Sequence, residues 1–218
     1  MDRNICVLGS CRINQPIGTD PHFLRFSGGY THTSKRALQT ISIMRGDLVV
    51  PDYLRKYVFK WKHSNKSDNR EDLSSIKKYI IEISSVKNIY EINTGLHFAI
   101  HFRIHRYKIS SDIEVEDYDE SPEQTISNLN MILNNVDGKD LCIVSHNNIA
   151  GIKKREKLIN LLSGWCKEND VSFFNPTLLI RMLGGDRCFQ KRRDAIDTNH
   201  YTDFMKESMK KFILRYLV

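Results

Sequence analysis

Short apolar runs punctuate the chain at Ile5 to Leu8, Tyr57 to Trp61, Tyr79 to Ile83, Leu141 to Val144 and Val171 to Phe174, most of them bounded by a polar or turn residue. The stretches between them look helical. Short strands alternating with helices make up a parallel sheet covered by helices, so these five runs are expected to be the strands of an α/β fold.

The helices announce their own ends. Thr33-Ser34 opens a stretch with Ala37, Leu38, Ile41 and Met44 at three-to-four spacing, and Gly46 stops it. Ser121 is placed as an N-cap, with Pro122 at the first helical position and Glu123 and Gln124 in the first turn. Ile126, Leu129, Ile132 and Leu133 form the apolar stripe behind them. A third helix is expected over Lys153 to Glu168, with Leu158, Leu161, Leu162 and Trp165 on one side. A closing helix is expected from Asp203 to Leu217, built on Phe204, Met205, Met209, Phe212, Ile213 and Tyr216.

One region has period two. From Leu96 to Ile104 the even positions are apolar, and the odd ones include His97, His101 and Arg103, with His105 just beyond. Asp112 to Glu116 alternates in the same way, so the two segments are expected to pair as a β-hairpin inserted near residues 90–118, between the third and fourth sheet strands, where it would cover a site. Successive histidines on one strand face lie about 13 Å apart, too far for neighbours to share one ion. That face is therefore expected to be solvated or to meet anions, with no metal site. Lys62 to Asp72, rich in Ser, Asn, Lys and Asp, reads as an exposed loop.

A chain of 218 residues fits one domain over 1–218, and 40% hydrophobic with 27% charged residues is an ordinary globular composition. No apolar stretch approaches a membrane span. The opening residues hold no long apolar leader, and five cysteines, an odd number, argue against a disulfide framework. A cytoplasmic protein is expected. The net charge of +7 favours anionic groups, and Lys153-Lys154-Arg155 and Lys191-Arg192-Arg193 are basic clusters that would meet phosphates or solvent. No interleaved aromatics accompany them, so nucleic acid is not an expected partner.

The residues that carry chemistry stand at the ends of these elements. Gly9-Ser10-Cys11 follows the first strand, where a parallel sheet binds its ligands, and puts a thiol beside backbone N–H groups. Asp197-Thr198-Asn199-His200 precedes the last helix, and an Asp three residues before a His can orient it as a base. His146 ends the fourth strand. Arg12 and Lys35 are candidates to hold an anion, and Thr31, His32 and Thr33 lie at a helix start. The plainer alternatives are a packed small thiol at Cys11 and a capping turn at Asp197 to His200.

The two blocks, in their order and distance apart, resemble the SGNH or GDSL-like hydrolase superfamily, with Gly9-Ser10-Cys11 in place of Gly-Asp-Ser and Asp197-Thr198-Asn199-His200 matching Asp-x-x-His. The resemblance implies a flavodoxin-like three-layer α/β/α sandwich with a five-stranded parallel sheet. It also implies Cys11 as nucleophile, His200 as base and Asp197 as its orienting partner. The oxyanion hole would take the Cys11 N–H, a glycine after the second strand (Gly29 of Gly28-Gly29) and an asparagine after the third (Asn88), although the family's Gly-x-Asn is not reproduced. Ser10, Arg12, Ser84 and His146 complete the expected substrate-binding set.

A thioester at Cys11 is open to attack by a hydroxyl as well as by water, so esterase and acyltransferase are both expected activities. The Gly-x-Cys form also looks like the start of some polysaccharide-biosynthesis proteins, which makes a carbohydrate acceptor the expectation. No cofactor is required, and coenzyme A is a candidate acyl donor. The competing expectation is a non-catalytic module that binds a phosphate or nucleotide ligand on the same fold.

Overall fold

The computed structural model describes residues 4–25, 30–59, 71–98, 109–136, 140–192 and 195–217. Its centre is an all-parallel sheet of β1 (Ile5–Leu8), β2 (Phe23–Arg25), β3 (Lys78–Ile83), β7 (Asp140–Ser145) and β8 (Ser172–Phe174), in the order β2-β1-β3-β7-β8. The central strands β1, β3 and β7 are buried along nearly their whole length, which is why they appear in the sequence as apolar runs.

Successive side chains leave a strand on opposite faces, and the core divides accordingly. Cys6, Leu8, Tyr79, Ile81, Ile83, Leu141 and Ile143 pack beneath α2 (Ser34–Arg45), α4 (Pro122–Asn135) and α5 (Lys153–Glu168). Ile5, Val7, Ile80, Cys142 and Val144 face α1 (Cys11–Ile17), α6 (Pro176–Met182) and α7 (Asp203–Phe212). The result is the expected three-layer α/β/α arrangement. Truncating a fully buried strand residue such as Ile80 to Ala is expected to cost about 2–5 kcal/mol.

The helix ends follow from the cap residues. Thr33 caps α2 through Arg36 N, and Gly46 closes it at φ 82°, a conformation that glycine adopts without a Cβ penalty. Ser121 and Gln124 form a reciprocal capping box at the start of α4, after Glu120. The closing helix is regular only to Phe212 and continues through Leu217 in a widened π turn, where Ile213 remains buried and Tyr216 is exposed.

Two strand expectations need correction. Tyr57 and Val58 belong to a single helical turn, α3 (Arg55–Val58), and Trp61 lies outside the described residues. Their apolar character serves a third core cluster with Leu54, Phe59, Ile89, Leu96 and Phe98. The true second strand is Phe23–Arg25, a three-residue edge strand too short to register as a run.

The insertion between β3 and β7 is a three-stranded antiparallel sheet. β5 (His97–Phe98) and β6 (Val115–Asp119) do not pair with each other; both pair with β4 (Lys87–Glu91), which lies between them. Nor is His97 on a solvated face. It is buried at 5% exposure, and its ring meets Asn88. His101 and His105 lie outside the described residues.

Among the described residues no helix is long and apolar enough to cross a membrane. The strand order reverses direction of winding between β1 and β3, so the crevice at their carboxyl ends is the switch point at which such sheets bind ligands.

Candidate active site at the sheet switch point

Glu82, one residue from the end of β3, organises this crevice. It is 1% exposed, and its carboxylate accepts from the Ser10 N–H at 2.7 Å and the Ser10 hydroxyl at 2.6 Å through one oxygen. The other oxygen accepts from Arg12 Nε at 2.9 Å and pairs with Nη2 at 2.8 Å. Burial by itself opposes the charge on both groups. The pairing outweighs it, since Arg12, His32 and the Ser10 hydrogen bonds hold the Glu82 carboxyl below the usual range, while Glu82 keeps the Arg12 guanidinium charged.

This ion pair fixes the turn that carries Cys11. Ser10 is the N-cap of α1, accepting from Arg12 N, and Cys11 is the first residue of the helix, partly exposed. Gly9 is required by space. A Cβ there would collide with Ile13 Cγ2 and stand 2.9 Å from Glu82 Cβ. The Gly-Ser-Cys order thus has a local reason at each position: close approach, cap, helix start.

Asp197 and His200 sit on β10 (Ala195–Tyr201), which pairs with β9 (Phe189–Arg192) as a two-stranded ribbon. The ladder is interrupted between Asp197 and Tyr201, whose partners Gln190 and Phe189 are adjacent, so Thr198 to His200 bulge out. Within the bulge Asp197 Oδ2 accepts from His200 Nδ1 at 2.8 Å, and Oδ1 accepts from Asn199 N at 3.0 Å. The ribbon strand packs against α1. Cys11 also lies within electrostatic reach of Arg12 and of Tyr201, the neighbour of His200.

His146 occupies the end of β7 as expected and is 6% exposed. Its Nδ1 lies 2.6 Å from the Asn147 carbonyl, which can only accept, so the ring proton is on Nδ1 and Nε2 keeps its lone pair. Burial, with Arg12 and Arg155 nearby, pushes its pKa down to about 3. Asn147 ties this strand end to the bulge by donating to the Thr198 carbonyl at 3.1 Å.

The other candidates are placed differently. Ser84 meets His32, through its hydroxyl and His32 Nδ1 at 3.1 Å and through its N–H to the His32 carbonyl at 2.8 Å. Asn88 is 1% exposed in β4, and its amide donates to Thr33 Oγ1 at 3.2 Å and Glu120 Oε1 at 3.3 Å. Gly29 lies outside the described residues. Glu82 went unnoticed in the sequence, although it left a trace as a lone acid inside the apolar run Tyr79-Ile80-Ile81-Glu82-Ile83.

Residues 3–101 match the model of the TviD N-terminal domain. The chain is also similar to the Vi polysaccharide biosynthesis protein TviD of Salmonella typhi, at 26% identity over 269 aligned positions that take in 98% of this chain and 31% of that protein. It therefore spans about a third of the length of the curated relative it matches. No solved structure matches the chain. The residues that match the TviD N-terminal domain carry Cys11, Arg12, Glu82 and Asn88 and stop before His146, Asp197 and His200.

Proposed function

We propose that this chain transfers an acyl group to a carbohydrate hydroxyl through a thioester on Cys11. The observation that carries the reading is the Asp197–His200 hydrogen bond of 2.8 Å, held on a strand packed against the helix that begins with Cys11. The similarity to a polysaccharide biosynthesis protein supports the choice of acceptor.

In this mechanism Asp197 holds the Nδ1 proton of His200, which directs the Nε2 lone pair to the thiol. Cys11 Sγ gives its proton to His200 and attacks the carbonyl carbon of an acyl thioester donor of the coenzyme A type. The carbonyl oxygen becomes an oxyanion, which the Cys11 backbone N–H stabilises. Collapse expels the donor thiolate, which takes the proton from His200 and leaves an acyl-Cys11 thioester. A sugar hydroxyl then loses its proton to His200 and attacks that thioester. The second collapse releases the sugar ester, and the Cys11 thiolate recovers the proton. Glu82 takes no proton in this cycle; it fixes Ser10 and Arg12 on either side of the nucleophile.

Replacing Cys11 by Ala is expected to lower turnover of a short acyl thioester by about 10³-fold or more. Incubating the intact protein with the donor is expected to add one acyl mass at Cys11, located by peptide mass spectrometry. Undiminished turnover in the Ala variant would refute the mechanism.

A further inference from the structure

Of the cluster Lys153-Lys154-Arg155, the two lysines are exposed, while Arg155 is partly buried and reaches the ends of β7 and β10. Its Nη1 and Nη2 reach only neutral acceptors, the Asn147 carbonyl and Asn199 Oδ1, each at 3.5 Å. Those distances are the outer limit of a hydrogen bond. Arg12 has Glu82 to balance it, whereas Arg155 has no carboxylate within ion-pair distance among the described residues. Both burial and the charge of Arg12 work against its protonation.

Two orphaned polar atoms lie at the same corner. Asn147 Oδ1 and the Tyr201 hydroxyl make no hydrogen bond within 3.5 Å, in residues 0% and 3% exposed, although the two side chains lie within reach of each other. Buried polar groups of a native fold nearly always find a well-formed bond, so a neighbouring acceptor and donor that both lack one mark a place for a ligand. Burial raises the Tyr201 pKa and keeps the phenol a donor. The helix that carries Arg155 also starts without a side-chain cap, leaving first-turn N–H groups at the same edge.

We propose that this corner binds the oxyanion of a hydroxylated ligand, a phosphate or carboxylate on a sugar-like frame, with Arg155 as its cation, the Tyr201 hydroxyl as donor and Asn147 Oδ1 accepting from a ligand hydroxyl. The proposal deepens the acyl-transfer reading by giving the reacting molecule a charged anchor beside Cys11. It rests on that reading for the anchor's purpose, but binding itself requires no turnover.

The test is isothermal titration calorimetry of the whole chain with two probes: adenosine 3′,5′-bisphosphate for a donor-type phosphate and glucuronate for an acceptor-type carboxylate. At least one is expected to bind saturably, more weakly as salt rises. Arg155→Gln is expected to weaken that binding by about tenfold or more, and Tyr201→Phe by several-fold, with unfolding temperatures confirming that both variants fold. Cys11→Ala is expected to bind within about twofold of the unaltered chain, which separates this site from the fate of the acyl mechanism. No saturable binding of either probe would overturn the proposal. An equal loss in a Lys153→Gln, Lys154→Gln double variant would overturn it too, because general surface charge would then account for the binding.

Discussion

Two of the buried carboxylates of this protein, Glu82 and Glu120, are satisfied in opposite ways. Glu82, at the end of β3, is balanced by a full charge, the Arg12 guanidinium, with Ser10 adding two hydrogen bonds. Glu120, just before α4, meets only neutral donors: the Ser34 hydroxyl, the Lys35 N–H at 3.1 Å and the Asn88 amide at 3.3 Å. The first network couples β3 to the turn bearing Cys11. The second joins α2, β4 and α4 and extends through Asn88 to His97, and through Ser34 to Asn128 at 3.0 Å. A charge-balanced pair beside a reactive group sets a field, whereas a carboxylate held only by uncharged donors in the flank sets a position.

Removing Glu82 separates the two most sharply. Glu82→Ala leaves Arg12 buried and uncompensated and is expected to cost about 3–5 kcal/mol in urea unfolding. Changing Arg12 to Met and Glu82 to Leu together is expected to lose much less. Glu120→Ala strands neutral donors only, for an expected loss of about 1–3 kcal/mol, with acyl turnover retained in the folded protein. If its turnover collapsed along with that of Glu82→Ala, the distinction between the networks would fail.

Asn88→Ala sharpens the same contrast at the level of chemistry. Both amide protons of Asn88 are used inside the flank network, so kcat is expected to stay within about threefold of the unaltered chain. A drop of about 10²-fold or more would return Asn88 to the oxyanion hole.

The smallest effect concerns pH. A buried histidine accompanies each network, His97 bonded to Asn88 and His146 within electrostatic reach of Arg12 and Glu82, and burial pushes both from 6.5 to about 3. Each ring is neutral in the fold and takes up its proton on unfolding. The stability it contributes is complete above about pH 6.5 and is lost as pH falls from there toward 3. His97→Gln and His146→Gln are each expected to flatten that decline in chemical unfolding measured across this range, with little change in slope above pH 7.

How much of this was legible in the sequence depended on how local the cause was. The strands at Ile5, Tyr79, Leu141 and Val171, the caps at Thr33 and Ser121, and the stop at Gly46 are written in neighbouring residues and could be read directly. The second strand could not, because three edge residues carry too little pattern and the buried Tyr57 and Val58 offered a false substitute. The hairpin expected near 90–118 missed β4, whose Lys87-Asn88-Ile89-Tyr90-Glu91 holds a single aliphatic residue. At the site, the Asp197–His200 pair is short-range and its spacing revealed it. Glu82 meets Arg12 across 70 positions, a juxtaposition that only the parallel pairing of β1 with β3 creates.

The bare Cα of Gly9 has an evolutionary corollary. Because any side chain there would strike both Ile13 and Glu82, no single substitution at this position leads to a neighbouring working sequence; the three residues must change in concert or stay as they are. Among diverged relatives they should therefore covary as one unit. A lineage that had lost the glycine would be expected to have lost the Glu82 brace in the same passage.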